Sequence, residues 1–300
     1  MVPQLAIVSP TPALSGIGLF TGQPSRLTLR PPEPGARGIC FRRTDGPGRR
    51  TVQCDISLVA PDAAWAGLPP ALGVRNTALL VPGAAAPRER VIATVEHLLG
   101  ALTGLHIWHA LIELEGPEVP MLDGSALPFT QLARDYAAPA THQLEPIVLR
   151  QPIEVRRHEA IIRAEPLAPG ESPVFEYHLE YPAESGLPRQ IATWQHDAGA
   201  FARDIAPART FSLEAEARAA HAAGLFQHVA PRDMLVISPQ GDPIDNAWRC
   251  EHEPARHKLL DLIGDLALLG RPLHARVTAA RSGHALTHEL CRVLSRQATG

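Results

Sequence analysis

The sequence predicts an α+β protein, because strand-like segments are followed by helical segments in each half of the 300-residue chain. A stretch rich in Pro and Ala, 135–146, lies between the halves and has the composition of a linker. We therefore expect two domains, 1–138 and 139–300, each long enough to bury a core of its own.

In the first half, short apolar and alternating segments predict strands, and helical spacing of apolar residues predicts two helices. The predicted strands are 26–31, 38–43 and 109–116. The predicted helices are 91–104 and 127–137.

The second half repeats this order with more elements. The predicted strands are 146–157, 159–166, 174–181, 233–239 and 273–280. The predicted helices are 211–223, 255–269 and 284–296. Ser282 and Gly283 form a turn that starts the last helix at His284.

Charge and composition exclude several classes of protein. A formal charge of -3 and scattered arginines leave no basic surface for nucleic acid. No apolar run reaches the roughly 20 residues of a membrane span, and the first residues lack the features of a signal peptide. The four cysteines have no paired spacing, which is typical of free thiols in a reducing compartment. We expect a soluble, cytoplasmic protein.

Lys258 is the only lysine of the sequence, and Arg fills every other basic position. Composition and chance could leave one lysine anywhere in the chain. A compact ammonium on a flexible stem, however, suits a point contact to a phosphate or an oxyanion better than the Arg fork does. The residues around Lys258 therefore decide between chance and a functional contact.

The helix that carries Lys258 is apolar on most sides, and its polar residues form one stripe. His257, Asp261 and Asp265 follow each other at intervals of four residues. An imidazole and a carboxylate one turn apart can bind the same metal ion, although such pairs are more often surface hydrogen bonds. Burying these charges without partners would destabilise the fold by several kcal/mol each, so the stripe indicates a site.

Two other segments place polar residues where apolar ones are expected. Glu96 and His97 interrupt the apolar face of the helix predicted at 91–104, which suggests a metal ligand beside a base. A Glu-His pair on a helix is more often solvated. His284 adds one more imidazole at the start of the last helix.

These segments, in this order, resemble the zinc-dependent UDP-3-O-acyl-N-acetylglucosamine deacetylases of lipid A synthesis. The matching blocks are TVEHLLGALTGL (94–105), PEVPMLDGSALPF (117–129), ARTF (208–211), RHKLLDLIGDLALLG (256–270) and SGHAL (282–286). The segments 15–45 and 177–190 fit the same pattern, so the resemblance covers nearly the whole chain. It implies two similar two-layer α/β sandwich domains with the active site between them.

The resemblance also implies a catalytic metal. His97, His257 and Asp261 match the zinc ligands, and three ligands leave a fourth position for water. Fe²⁺ could bind the same ligand types. The implied substrate is an acylated nucleotide sugar, and the protein is expected to be monomeric.

The same resemblance implies catalytic roles for the residues around the metal. Glu96 would accept the proton of the attacking water, and His284, held protonated by Asp265, would stabilise the oxyanion and protonate the departing amine. Thr210 would donate its hydroxyl to the tetrahedral intermediate. Lys258 would contact a substrate oxygen or phosphate.

Three further positions match the family less specifically. Phe211 corresponds to a residue of the substrate cleft, and Tyr181 to an aromatic that stacks on the uracil ring. A plain core role is an equal alternative for both. Asp123 matches an acidic position near the domain junction, where a structural role is expected.

The chain also departs from the family pattern. Phe20 stands where the family usually has His, segment 74–91 lacks a Leu-Gly-Thr sequence, and segment 224–238 lacks a Gly-Gly and Asn-containing strand entry. Phe20 removes a polar group close to the active site, which predicts a change in catalytic efficiency or substrate orientation. Segment 74–91 predicts a reshaped loop over the metal, and segment 224–238 predicts an altered acyl length or acyl identity.

Two alternatives to the lipid A precursor deacetylase stay open. One is a paralogue that deacetylates a different N-acetyl sugar. The other is a non-catalytic binding or regulatory protein with the same fold, which would not need a base, three ligands and an acid together. Three polar segments, 196–204, 214–224 and 250–257, are expected to be solvated surface.

Overall fold

The computed structural model describes residues 2–45, 50–60, 75–84 and 90–298, and its mixture of sheets and helices confirms the α+β class. The first half contains β1 (Leu5–Ile7), β2 (Leu14–Ile17), β3 (Pro24–Arg30), β4 (Ile39–Arg43), β5 (Thr51–Gln53), β6 (Ala78–Leu80), β7 (Val91–Ala93), α1 (Glu96–Gly104), β8 (Ile107–Glu115), α2 (Leu127–Arg134) and β9 (Ala137–Pro139).

The second half has more short elements. They are β10 (Ile147–Val148), β11 (Ile153–Arg157), β12 (Ala160–Glu165), β13 (Val174–Leu179), β14 (Gln190–Trp194), α3 (Ala198–Ala200), a π-helical turn (Phe201–Ile205), β15 (Phe211–Leu213), α4 (Glu214–Ala222), β16 (Leu235–Ile237), α5 (Glu253–Leu266), β17 (Leu273–His274), β18 (Arg276–Ala280) and α6 (His284–Ala298). The described residues also form short 3₁₀ helices at Ile56–Leu58, Ala183–Ser185 and Ala267–Leu269.

The first sheet is built around β8. This strand pairs antiparallel with β3 and parallel with β4, and its first residues pair with β1. β2 and β5 extend the sheet antiparallel to β3 and β4. β8 is buried along nearly its whole length, as expected of a strand in the middle of a sheet.

The second sheet is built around β18 in the same way. β18 pairs antiparallel with β12 and parallel with β13, and β11 and β14 extend the sheet antiparallel to those strands. In both halves a helix comes just before the central strand region and another comes after it: α1 and α2 for β8, α5 and α6 for β18. The two halves thus share one strand order although no repeat is visible in the sequence.

Helices α1 and α5 pack directly against each other, and glycines make this close approach possible. A Cβ on Gly264 would collide with the main-chain carbonyl of Glu96, and one on Gly100 would lie 2.7 Å from the Leu260 side chain. Every residue of α1 is buried, as is nearly every residue of α5. This contact joins the halves in one continuous core.

The sequence placed most elements correctly but overextended three helices. Residues 91–93 form a strand instead of the first turn of a helix, because Val91 and Ile92 pair with β6 and Thr94 has a positive φ of 56° that ends regular structure. The helix predicted at 127–137 ends at Arg134. In the helix predicted at 211–223, Phe211–Leu213 instead pairs with β16 as a strand.

The predicted linker is shorter than expected. β9 pairs antiparallel with β1, so the Ala-rich residues after α2 belong to the first sheet. Among the described residues, no helix combines the length and the apolar character that a bilayer crossing requires.

We predict that Gly264→Ala destabilises the protein by opening the α1–α5 contact. Overpacking of this kind costs roughly 1–3 kcal/mol even where side chains can yield, and here the obstacle is main chain. It therefore outweighs the preference of helices for Ala over Gly, which is worth about 1 kcal/mol. Urea unfolding followed by circular dichroism measures the change in free energy of unfolding.

Gly283→Ala is the matched control for stability, since an added Cβ there has nothing within 4 Å. Equal unfolding free energies for the two variants would contradict the predicted steric role of Gly264.

Candidate active site

Three predicted metal ligands converge where α1 meets α5. Nε2 of His97 lies 3.4 Å from Oδ1 of Asp261, and Nε2 of His257 lies 3.5 Å from the same oxygen. Their ligand atoms all lie within 4.8 Å of one another, and the three residues are buried. His257 and Asp261 share one face of α5 because they are one turn apart, whereas His97 comes from α1.

The donor set fits a divalent cation. Among the described residues, Oδ1 of Asp261 is a buried oxygen without a hydrogen-bond partner, although it faces two imidazole nitrogens. Burial alone would raise the Asp261 pKa, but His257 and Lys258 hold it well below its usual range. Burial lowers the His257 pKa to about 3, so this imidazole is neutral, as a metal ligand must be. A cation would satisfy the orphaned oxygen.

Glu96 and His284 lie beside this cluster, with Nε2 of His284 3.8 Å from Oδ2 of Asp261. Oε1 of Glu96 is 4.0 Å from Nε2 of His284, and both side chains are almost fully buried. Burial raises the pKa of Glu96 to about 7, although His284 and His97 oppose the shift. The site therefore holds a carboxyl group and an imidazole that face each other in a shared low-dielectric space.

Asp265 holds His284 from behind. Nδ1 of His284 donates to Oδ2 of Asp265 at 2.8 Å. Burial would lower the pKa of His284, but Asp265 and Asp261 raise it to about 9, so the metal-free protein carries an imidazolium at neutral pH. Two residues before His284 in the sequence, the carbonyl of Ser282 accepts a hydrogen bond from the hydroxyl of Tyr177, which anchors the turn that starts α6.

A cavity of about 720 Å³ opens over these groups and is lined by residues of both halves. Its lining includes four of the predicted site residues, Thr210, Phe211, Tyr181 and Lys258. The Phe211 ring meets His257 edge-on at 6.1 Å between centroids and Tyr181 at 6.0 Å. Both aromatic residues therefore border the cavity as well as packing against other rings.

Lys258 has a partner inside the site. Its Nζ donates to Oδ2 of Asp261 at 2.8 Å, so the two oxygens of Asp261 have different surroundings. Burial lowers the Lys258 pKa, but Asp261 and two tyrosines outweigh it and raise the pKa above its usual value. The ammonium is therefore charged, and it lies at the edge of the cavity.

Two of the predicted departures from the family pattern meet in space. The rings of Phe20 and Phe226 lie edge to face with centroids 5.4 Å apart, and both line the cavity. Segment 224–238 thus contacts the opening segment of the chain. Of segment 74–91, the structure describes residues 75–84 and 90–91, and the remaining part lies outside the described residues.

Asp123 has the structural role expected of it. Its Oδ1 accepts from the amide and hydroxyl of Ser125, and its Oδ2 accepts from Nη1 of Arg249 at 2.6 Å. The Arg249 pair joins the two halves of the chain.

The expectation that 250–257 is solvated surface was wrong in part, because Glu251 and His252 are exposed whereas Glu253 to Ala255 and His257 are buried. Glu253 is fully buried because it accepts hydrogen bonds from Arg209, the residue before Thr210, and from the amide of Arg249. A buried ion pair was not visible in the sequence, since its members are 44 residues apart. Segment 196–204 was likewise misjudged in part, because Phe201 is fully buried.

The structure adds two polar residues that the sequence analysis missed. Thr77 donates its hydroxyl to Oδ1 of Asp265 at 2.6 Å, and Nε2 of His288 lies 2.9 Å from that hydroxyl oxygen. His288 could have been noticed because it follows His284 by one helical turn. No pattern in the sequence singles out Thr77.

Comparison with known proteins identifies the family. Residues 7–296 match the model of the LpxC family, described as UDP-3-O-acyl N-acetylglycosamine deacetylase. A protein named UDP-3-O-acyl-N-acetylglucosamine deacetylase from Synechocystis sp. is 35% identical over 94% of this chain and 95% of its own length. Proteins of the same name from Anaeromyxobacter sp. and Oleidesulfovibrio alaskensis are each 34% identical, over 93% and 96% of this chain and 84% and 88% of their own. The chain therefore belongs to the UDP-3-O-acyl-N-acetylglucosamine deacetylase family.

Proposed function

We propose that this protein is a metal-dependent amide hydrolase that removes the N-acetyl group of UDP-3-O-acyl-N-acetylglucosamine and releases acetate, a step of lipid A biosynthesis. The observation that carries the proposal is the buried, unpartnered Oδ1 of Asp261, which faces two imidazole nitrogens beside a buried carboxyl group and an imidazolium. Family membership supports the choice of substrate.

His97, His257 and Asp261 are the proposed metal ligands, and zinc is the proposed metal. Two nitrogens and one carboxylate are a donor set that zinc accepts in catalytic sites, and ferrous iron is the alternative at the same ligands. When bound, the metal supplies Lewis-acid chemistry, since it acidifies water and polarises an amide carbonyl.

Glu96 is the proposed general base. It is the residue next to a proposed ligand, it lines the cavity, and its carboxyl group is buried. One oxygen is held by the amide of Thr77 at 3.0 Å, which leaves Oε1 directed towards His284. A carboxylate fixed in this way can take the proton of an attacking water.

His284 is the proposed general acid, with Asp265 as its partner. The hydrogen bond from Nδ1 to Asp265 orients the ring, so that Nε2 faces the cavity and carries the transferable proton. A charged imidazolium can stabilise the developing oxyanion and then protonate the departing amine nitrogen. Glu96 and His284 thus have opposite proton tasks, 4.0 Å apart in the same site.

Thr210 and Lys258 are the proposed donors to the substrate and its oxyanion. Both line the cavity next to the ligand cluster. The ion pair of Lys258 with Asp261 keeps the ammonium charged and stationary. A preorganised donor of this kind needs little rearrangement when negative charge develops.

Phe211 and Tyr181 are the proposed contacts to the sugar and the base of the nucleotide. An acyl chain would lie against the apolar part of the cavity wall, which includes Phe20, Ala217, Phe226, Val229, Val236 and Ile244. Such a wall shelters the chain from water, and its shape would set the preferred acyl length.

We further propose two similar two-layer sandwich domains, 1–138 and 139–300, with the active site between them. The shared strand order of the two sheets supports this division, as does a cavity lined by both halves. β9 (Ala137–Pro139) ends within one residue of the proposed boundary, which supports a division near the end of the first sheet. A monomeric state and a cytoplasmic location stay predictions of the sequence.

The substrate is tested by measuring acetate release from UDP-3-O-acyl-N-acetylglucosamine and from UDP-N-acetylglucosamine by metal-replete protein. We expect a kcat/KM at least roughly 100-fold higher for the acylated substrate, since each buried methylene contributes about 0.8 kcal/mol and four would suffice. Equal turnover of both sugars, or of neither, would contradict the proposed substrate.

The base is tested with Glu96→Gln, which keeps the shape of the side chain and removes its proton-accepting charge. We expect kcat to fall by roughly 10²- to 10⁴-fold while metal content is unchanged. Glu289→Gln is the control, because that half-exposed residue of α6 pairs only loosely with Arg157. A Glu96→Gln protein that retains wild-type kcat would rule out Glu96 as the base.

The metal site is tested with Asp261→Asn and elemental analysis of protein purified without oxygen. We expect the variant to lose stoichiometric metal, because the Asn side chain cannot replace the anionic Oδ1 of Asp261, the oxygen proposed to bind the metal. The exposed Asp242→Asn serves as the control. Elemental analysis of the wild type distinguishes zinc from iron. Full metal retention by the Asp261→Asn variant would exclude Asp261 as a metal ligand.

A further inference from the structure

Thr77 lies at the meeting point of four elements that build the site. It precedes β6, and its carbonyl accepts from the amide of Val95, which comes just before α1. Its own amide donates to Oε2 of Glu96 at 3.0 Å. The main chain of Thr77 therefore fixes both the start of α1 and the carboxyl group of Glu96.

The side chain of Thr77 reaches the other catalytic pair. Its hydroxyl donates to Oδ1 of Asp265 in α5 at 2.6 Å, while Oδ2 of Asp265 accepts from Nδ1 of His284 at 2.8 Å. Thr77 is fully buried, so water does not compete for either bond. One residue thus contacts the partner of His284 through its side chain and Glu96 through its main chain.

His288 completes the chain of hydrogen bonds. Because the single hydroxyl proton of Thr77 is directed to Asp265, the contact of 2.9 Å to His288 requires Nε2 of the imidazole to be the donor. His288 is buried on α6, one turn after His284. The order of donation is therefore His288 to Thr77, Thr77 to Asp265, and His284 to the second oxygen of Asp265.

We propose that Thr77 is a positioning residue, supported by His288, that sets the carboxyl groups of Glu96 and Asp265 relative to each other. This inference rests on the proposed function of the same site. With Oδ1 held by Thr77, Asp265 presents Oδ2 to His284 in one orientation. With Oε2 held by the same residue, Glu96 presents Oε1 to the cavity. The distance between Glu96, the proposed base, and His284, the proposed acid, then depends on the position of Thr77.

A second metal at this cluster is disfavoured by the same contacts. The ligand atoms of Asp265, His284 and His288 lie within 4.8 Å of one another. Asp265 and both imidazoles, however, already have hydrogen-bond partners in the cluster. The unpartnered oxygen of the site is on Asp261 instead.

Thr77→Val tests the proposal, because it keeps the side-chain shape and the amide bond to Glu96 and removes the hydroxyl. We expect kcat to fall by roughly 10- to 100-fold, as when partners behind a catalytic group are removed. KM and metal content should stay near wild type, whereas the thermal midpoint should fall by roughly a few degrees, because Oδ1 of Asp265 loses a buried hydrogen-bond donor. Thr77→Ser should restore kcat to within about threefold of wild type, because it returns the hydroxyl.

Two further variants separate positioning from packing. His288→Leu removes the donor to Thr77 but leaves the bond to Asp265, so its loss of kcat should be smaller than that of Thr77→Val. Thr130→Val is the control, since this buried hydroxyl bonds only to the carbonyl of Ala126 in its own helix region. Wild-type kcat in Thr77→Val, or a loss that Thr77→Ser does not restore, would overturn the proposal.

A readout without substrate keeps this inference separate from the proposed function. The imidazole ¹⁵N spectra of His284 and His288 in the metal-free protein should change in Thr77→Val and not in Thr130→Val. Unchanged imidazole spectra in Thr77→Val would also overturn the role of Thr77. A metal-replete wild type without activity on the acylated substrate would reject the proposed function, while the spectra would still test the hydrogen-bond chain.

Discussion

The close packing of α1 against α5 is the constraint on which the rest of this structure depends. Gly100 and Gly264 present no Cβ where the helices meet, so that Nε2 of His97 comes within 3.4 Å of Oδ1 of Asp261. A wider separation would leave the imidazole of His97 out of reach of the carboxylate. The two halves therefore form one site only because their central helices touch at main-chain distance.

Burying so much charge requires compensation, and the structure provides it in pairs. Lys258 balances Asp261, His284 balances Asp265, and Arg209 balances Glu253. Each pair satisfies a group whose isolated burial would be strongly unfavourable. The one buried carboxylate oxygen left unpartnered in the described residues is the one that faces both imidazoles of the ligand cluster. The ion pairs thus hold these buried side chains in place. The unpartnered Oδ1 of Asp261 lies at the centre of the proposed metal site.

Secondary structure was predictable where local pattern dominates and unreliable where tertiary pairing decides. The last helix and the central strands follow from apolar spacing and turn residues. The sequence predicts that residues 91–93 and 211–213 begin helices, yet both form strands because each has a partner strand in the folded protein. The burial of Glu253 escaped prediction because its partner, Arg209, is distant in sequence.

Within the site, sequence spacing was enough to place His257 one turn before Asp261 on α5, and Glu96 beside His97 on α1. Each of these relations lies within a single helix, where geometry is local. The family and its chemistry could also be inferred from such blocks. The approach of α1 to α5, the contact between Phe20 and Phe226, and the links from Thr77 to Glu96 and Asp265 needed the tertiary structure. These distances join residues far apart in the chain, and they depend on how whole elements pack rather than on any local periodicity.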